Sequence, residues 1–189
     1  MGFMVHQSCY GTAVPQQDWQ ASRRPSWRRE TLYPQLSGNR AKDPARWFYG
    51  GGVQTWKATE EDTGGSFLLF EDEMARDKVT PMHTHPRSEE TLYVLAGEIL
   101  LNMDGAEHRL AAGGLAIAPR GVPHAFKVLQ EGTRMLCLHT PGGAQAFYFG
   151  ASDPLGAGDD GARLVDFARI RESGRVNGGI EIVGPPPFD

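Results

Sequence analysis

Thr80-Pro81-Met82-His83-Thr84-His85-Pro86-Arg87-Ser88-Glu89-Glu90-Thr91-Leu92-Tyr93-Val94-Leu95-Ala96-Gly97 places two histidines one residue apart in a stretch of strand character. Residues two apart on a β-strand face the same side, so His83 and His85 present their imidazoles together. A carboxylate follows close behind, and His124 comes directly after the tight loop Pro119-Arg120-Gly121-Val122-Pro123. A barrel that only needs filling uses Val or Leu, as at Leu92 and Val94. Buried imidazoles must each satisfy two ring nitrogens, and one metal takes a lone pair from all of them at once. Three imidazoles and a carboxylate are a ligand set for one divalent transition metal: Fe, Mn, Ni, Co, Cu or Zn. A purely structural zinc is disfavoured, because no Cys accompanies the histidines.

Two acids compete for the fourth position. Simple alternation from His85 favours Glu89. Pro86-Arg87-Ser88 resets the strand phase, however, and Glu90 shares its parity with apolar Leu92 and Val94. Glu90 is therefore the expected ligand, with Glu89 on the surface. Among the other histidines, His108 follows a hairpin and is expected exposed, His6 lies near the N-terminus, and His139, at the end of a strand, is within reach of the pocket but is expected to be structural.

Working outward, short apolar runs alternate with Gly/Pro/Asp turns. Strands are expected at Arg46–Tyr49, Val53–Ala58, Ser66–Phe70, Val79–His85, Glu90–Leu95, Gly97–Met103, Glu107–Leu110, Leu115–Ala118, His124–Leu129, Thr133–His139 and Gln145–Phe149. Asp104-Gly105 is a strong two-residue hairpin signal. Such spacing indicates an all-β sandwich or barrel. Ala162–Arg171 reads as an amphipathic helix stopped near Gly174, and Gly179–Val183 as an edge strand. The expected organisation is an N-terminal extension over 1–45, partly disordered or draped on the barrel, then a barrel over 46–153 and a helix with a tail over 154–189.

Composition bounds the partners. The net charge of −4 is spread unevenly, +3 over residues 1–45 and −7 over the remainder. The short Arg23-Arg24 and Arg28-Arg29 pairs suit a solvated leader, so no nucleic-acid partner is assigned. The two cysteines, Cys9 and Cys137, do not form a disulfide framework. With no secretory h-region and no apolar stretch of spanning length, a cytoplasmic protein without membrane contact is expected.

The histidine stretch resembles the first motif of the cupin family: Gly, five residues, His-x-His, three or four residues, Glu, six residues, Gly. His83, His85, Glu90 and Gly97 match it, while Asp77 stands at the leading Gly. The second motif, Gly, five residues, Pro-x-Gly, two residues, His, three residues, Asn, is matched by Gly113, Pro119, Gly121 and His124, with Val128 at the Asn. The resemblance covers roughly 46–150. It implies a single cupin barrel, a double-stranded β-helix or jelly roll, with the metal held by His83, His85, Glu90 and His124.

Within cupins the chain is most similar to quercetin dioxygenase-like single-cupin proteins. Asp62-Thr63-Gly64-Gly65, Tyr93 to Glu98, Thr140-Pro141-Gly142-Gly143 and the Gly179–Phe188 tail carry that narrower likeness. It implies a dioxygenase acting on an aromatic or enolisable small molecule, with Glu90 doubling as base toward a substrate hydroxyl, and a homodimer. The alternatives are a cupin isomerase, lyase or cyclase that uses the metal as a Lewis acid, and a non-catalytic binding cupin. The substrate pocket is expected to be apolar, walled by Phe67 (or Phe70), Leu69, Met82, Leu92, Phe126 and Leu138, with Phe147 and Phe149 near its mouth.

Overall fold

The computed structural model describes residues 45–156 and 163–188. The expected N-terminal extension lies outside the described residues up to position 44. Strands β1 (Arg46–Phe48) and β2 (Gly52–Ala58) form a hairpin through the intervening glycines, with Phe48 opposite Gly52. A single turn of helix, α1 (Glu60–Thr63), leads into β3 (Leu68–Met74). Thr59 caps it: its hydroxyl accepts from the Asp62 N–H, and the Asp62 carboxylate accepts from the Thr59 N–H. The histidine stretch forms β4 (Met82–Thr84) and β5 (Glu89–Ala96). Then come β6 (Glu98–Met103), β7 (Ala106–Ala111), β8 (Leu115–Ala118), β9 (His124–Val128) and β10 (Thr133–Thr140). Helix α2 (Gln145–Gly150), β11 (Ser152–Pro154), helix α3 (Phe167–Asn177) and β12 (Glu181–Gly184) complete the order.

All pairings are antiparallel, in two sheets. One runs β11-β1-β2-β3-β10-β5-β8 and the other β12-β4-β9-β6-β7. From β3 onward the chain crosses repeatedly from one sheet to the other, which is what a jelly roll requires. Leu92, Val94 and Met135 of the first sheet share one core with Ile99, Leu101 and Val128 of the second. Alternation along each strand sends these residues inward and their neighbours out. The β6–β7 hairpin turns on Asp104 and Gly105, both at positive φ, as a two-residue turn of this hand demands. Gly97 links β5 to β6 at φ 79°, and a Cβ there would strike the Thr133 side chain.

Two expectations are corrected. Gln145–Phe149 is helix α2 rather than a strand. Its apolar run is too short for period to discriminate, and Phe147 and Tyr148, adjacent in sequence, are both buried, whereas a strand would split them between faces. The C-terminal helix is Phe167–Asn177, shifted from 162–171. Asp166 caps its start by accepting from the Arg169 N–H at 3.0 Å. Gly174, read as a stop, lies inside the helix because Ile180 packs closely there. Gly178, at φ 65°, ends it.

Asp77, which replaces the leading motif glycine, is exposed and has φ 65°. The substitution therefore keeps the left-handed conformation, which Asp tolerates better than other L-residues. Asp77→Gly is expected to change stability by no more than about 1 kcal/mol, and Asp77→Val to cost about 2 kcal/mol, both measured by urea denaturation.

Candidate metal centre

Both sheets contribute to one buried cluster. His83, on β4, lies opposite His124 on β9. His85 follows just beyond β4. Glu90 comes from β5 in the facing sheet, where it is the register partner of His139 on β10. His83, His85, Glu90 and His124 are all buried, and one ligand atom from each lies within 4.8 Å of all the others. Glu89 is exposed, consistent with the phase reset at Pro86.

The ring orientations are set by the backbone. His83 Nδ1 lies 2.8 Å from the Pro81 carbonyl, His85 Nδ1 3.0 Å from that of Gly179, and His124 Nδ1 2.9 Å from that of Val122. A carbonyl only accepts, so each Nδ1 carries a proton, and in a neutral ring Nε2 is then the atom with the free lone pair. Yet His85 Nε2 and His124 Nε2 stand 3.2 and 2.9 Å from the same carboxylate oxygen, Glu90 Oε2. Lone pairs aimed at a carboxylate repel it unless a positive charge sits among them. A divalent cation removes the conflict with all three Nδ1 bonds intact, so the residues present fit such a metal. Gly179 belongs to the C-terminal segment and reaches this position at φ 83°, where a Cβ would collide with Ala144. β12, just beyond it, pairs with β4. The tail is thus part of the site's support.

Burial lowers the His83 pKa to about 3, with further lowering from His124 and His85. That ring stays neutral, as a ligand must. Burial pulls the other way on Glu90, raising it, but His85 and His139 outweigh this and hold the carboxyl well below its ordinary value. For His124, burial acts downward and the bond to Glu90 prevails, raising it.

His139, expected to be merely structural, is fully buried with Nε2 3.3 Å from Glu90 Oε1 and 3.0 Å from the Tyr148 hydroxyl oxygen. Since the carboxylate only accepts, Nε2–H is the donor, and His139 steadies the oxygen of Glu90 that the other rings leave alone. The signal lay in strand phase: His139 shares its parity with buried Met135 and Cys137. His108 is exposed.

A cavity adjoins the cluster, with His83 and Glu90 in its wall. Its free volume is about 50 Å³, room for about four waters. Phe126 and Phe147 line it, as does Phe70 in place of its alternative Phe67. Phe67, Leu69, Met82, Leu92, Leu138 and Phe149 do not. Leu69 and Leu138 are register partners on the faces opposite inward-pointing Phe70 and Cys137. Phe67 and Met82 are likewise out of phase with buried Leu68 and His83. Leu92 belongs to the inter-sheet core. Phe149 packs edge-on against Trp56, with ring centroids 5.0 Å apart. Cys137 is in the cavity wall, but burial pushes its thiol well up, which keeps it from acting as a thiolate nucleophile.

Residues 71–140 match the model of the cupin domain family. This chain carries a cupin domain. Its fold is a single all-β cupin barrel. Over 115 residues it is 27% identical to quercetin 2,3-dioxygenase of Bacillus subtilis (strain 168), covering 61% of this chain and 34% of that one. The cupin thus spans about a third of the curated relative's length. Similar solved structures include a predicted oxalate decarboxylase from Thermotoga maritima, 18% identical, with a TM-score of 0.48 over 52% of this chain and 92% of that one. Another is KdgF from Halomonas sp., 22% identical, with a TM-score of 0.45 over 48% and 79% respectively. No described helix is long and apolar enough to cross a membrane.

Proposed function

We propose that this cupin is a metal-dependent, dioxygenase-type oxidoreductase acting on a compact enolisable or aromatic small molecule. The observation that carries the reading is the convergence of three imidazoles and one carboxylate on one point beside a mainly apolar cavity. The likeness to quercetin 2,3-dioxygenase supports the reaction type. A free volume of about 50 Å³ favours a ligand smaller than a flavonol.

A bound divalent metal would supply Lewis acidity, lowering the pKa of a substrate enol or phenol, and the redox capacity for reaction with dioxygen. His83, His85, Glu90 and His124 would hold it. Glu90 accepts the substrate's hydroxyl proton. His139 keeps the carboxylate from turning, by its bond to Oε1. Phe126 and Phe147 keep bulk water from the reacting atoms.

Oxygen uptake by the metal-loaded protein tests the reading, with small hydroxyketones, catechol and quercetin as substrates. Uptake that a chelator abolishes is expected. Anaerobic turnover of the same compounds indicates a Lewis-acid isomerase or lyase instead, and thermal stabilisation without turnover a binding cupin. A homodimer is also proposed. Leu115 and Ile117, 55% and 52% exposed on edge strand β8, lie beside Tyr93 and suit burial against a second copy. Light scattering is expected to give twice the 20.7 kDa chain mass, and a monomer mass rejects the dimer.

A further inference from the structure

One group of polar side chains in the cavity has no part in metal ligation. Gln54 on β2 and Asp72 on β3 are register partners, both turned inward. Lys78 reaches them from the β3–β4 connection, its Nζ 2.7 Å from Asp72 Oδ2. The three are 1%, 4% and 8% exposed, and all line the same cavity as His83 and Glu90. Phe48 and Phe126 flank the ammonium, with ring centroids 5.7 and 5.6 Å away. Gly52 packs against the pair, and only a residue without a side chain fits there, because a Cβ would fall on Asp72 Oδ1.

An ion pair inside an apolar wall is costly, and replacing it by apolar residues often stabilises a protein. This pair is moreover incomplete. Asp72 Oδ1 and Gln54 Oε1 are both buried without a hydrogen-bond partner. Two orphan acceptors in a wall that also carries an ammonium with spare N–H donors are the complement of a hydroxyl group, which donates to one of the acceptors and accepts from the ammonium. Opposite charges on Asp72 and Lys78 cancel, so the complement is neutral.

We infer that Gln54, Asp72 and Lys78 form a substrate-binding subsite that recognises a second hydroxyl of a small, neutral hydroxy-carbonyl compound whose enolisable end lies at the metal centre. The subsite rests on the reading proposed above and narrows its substrate class. A monofunctional enol or an apolar ring leaves both acceptors unpaired on binding, which costs affinity.

Calorimetry on the zinc-loaded, redox-silent protein tests this with two probes, dihydroxyacetone and hydroxyacetone. They share the hydroxyketone and differ by one hydroxyl. A preference of about tenfold for dihydroxyacetone is expected from one buried hydrogen-bonded hydroxyl. Gln54→Leu, and separately the charge-neutral pair Asp72→Leu with Lys78→Met, are each expected to reduce that ratio toward one, circular dichroism confirming that they fold. Equal affinity for the two probes, binding of neither, or a preference retained in both variants overturns the subsite. A preference that persists, with the affinities themselves unchanged, after zinc is removed by chelator upholds the subsite and overturns the metal's hold on the enolisable end.

Discussion

Glu90→Gln is expected to lower turnover by about 10²- to 10⁴-fold, the range that a positioned proton acceptor contributes. The replacement keeps the side chain's volume and one carbonyl oxygen for His139 Nε2–H to meet, so the barrel has no packing reason to unfold. What it removes is the charge. With the carboxylate gone, nothing takes the substrate's proton, and an amide –NH2 faces the Nε2 atoms of His85 and His124 or their metal. Metal content measured alongside turnover separates the two losses. A variant that keeps its metal but not its rate identifies Glu90 as the base. Full metal and full turnover together reject that role.

The second large effect concerns stability. Loading the metal-free protein with a divalent transition metal at about a hundred times its dissociation constant is expected to add about 2.7 kcal/mol. For a chain of this size that raises Tm by roughly 8 °C. The size of the gain is set by mass action at that ratio, and the affinity behind it draws on the cluster's electrostatics, because the metal-free state gathers imidazoles and a carboxylate in a buried space with no cation among them. His85→Ala deletes a ligand and also abandons the Gly179 carbonyl, so both the shift and stoichiometric metal are expected to vanish. Differential scanning calorimetry with and without metal reads the first, and atomic absorption on the dialysed protein the second. A shift that His85→Ala leaves unaltered would mean that the ion binds elsewhere.

Much of this is legible along the chain because strands impose a period of two. That period brings His83 and His85 to one face, selects Glu90 over Glu89 once Pro86 breaks the phase, and separates the inward from the outward residues of each run. For apolar side chains alone, residue type does not locate the cavity wall. Leu69 and Leu138 are no less apolar than Phe70, and only the burial of Phe70 and Cys137 beside them shows that they face away. Helix α2 escaped for a related reason, since four apolar residues carry no period. The Gln54, Asp72 and Lys78 group left no motif at all, its members standing on two strands and a connection with nothing in their spacing to link them.

By itself, the order of residues determined most of the strand pattern and the types and spacing of the clustered side chains, because those depend on steric periodicity and donor chemistry that act locally. Tertiary structure alone decided which carbonyls orient the rings, that His139 backs Glu90, and that a charged pair shares the cavity with the histidine–carboxylate cluster. Such facts arise from strands distant in sequence meeting across two sheets, and they depend on register and layer packing that no local pattern encodes.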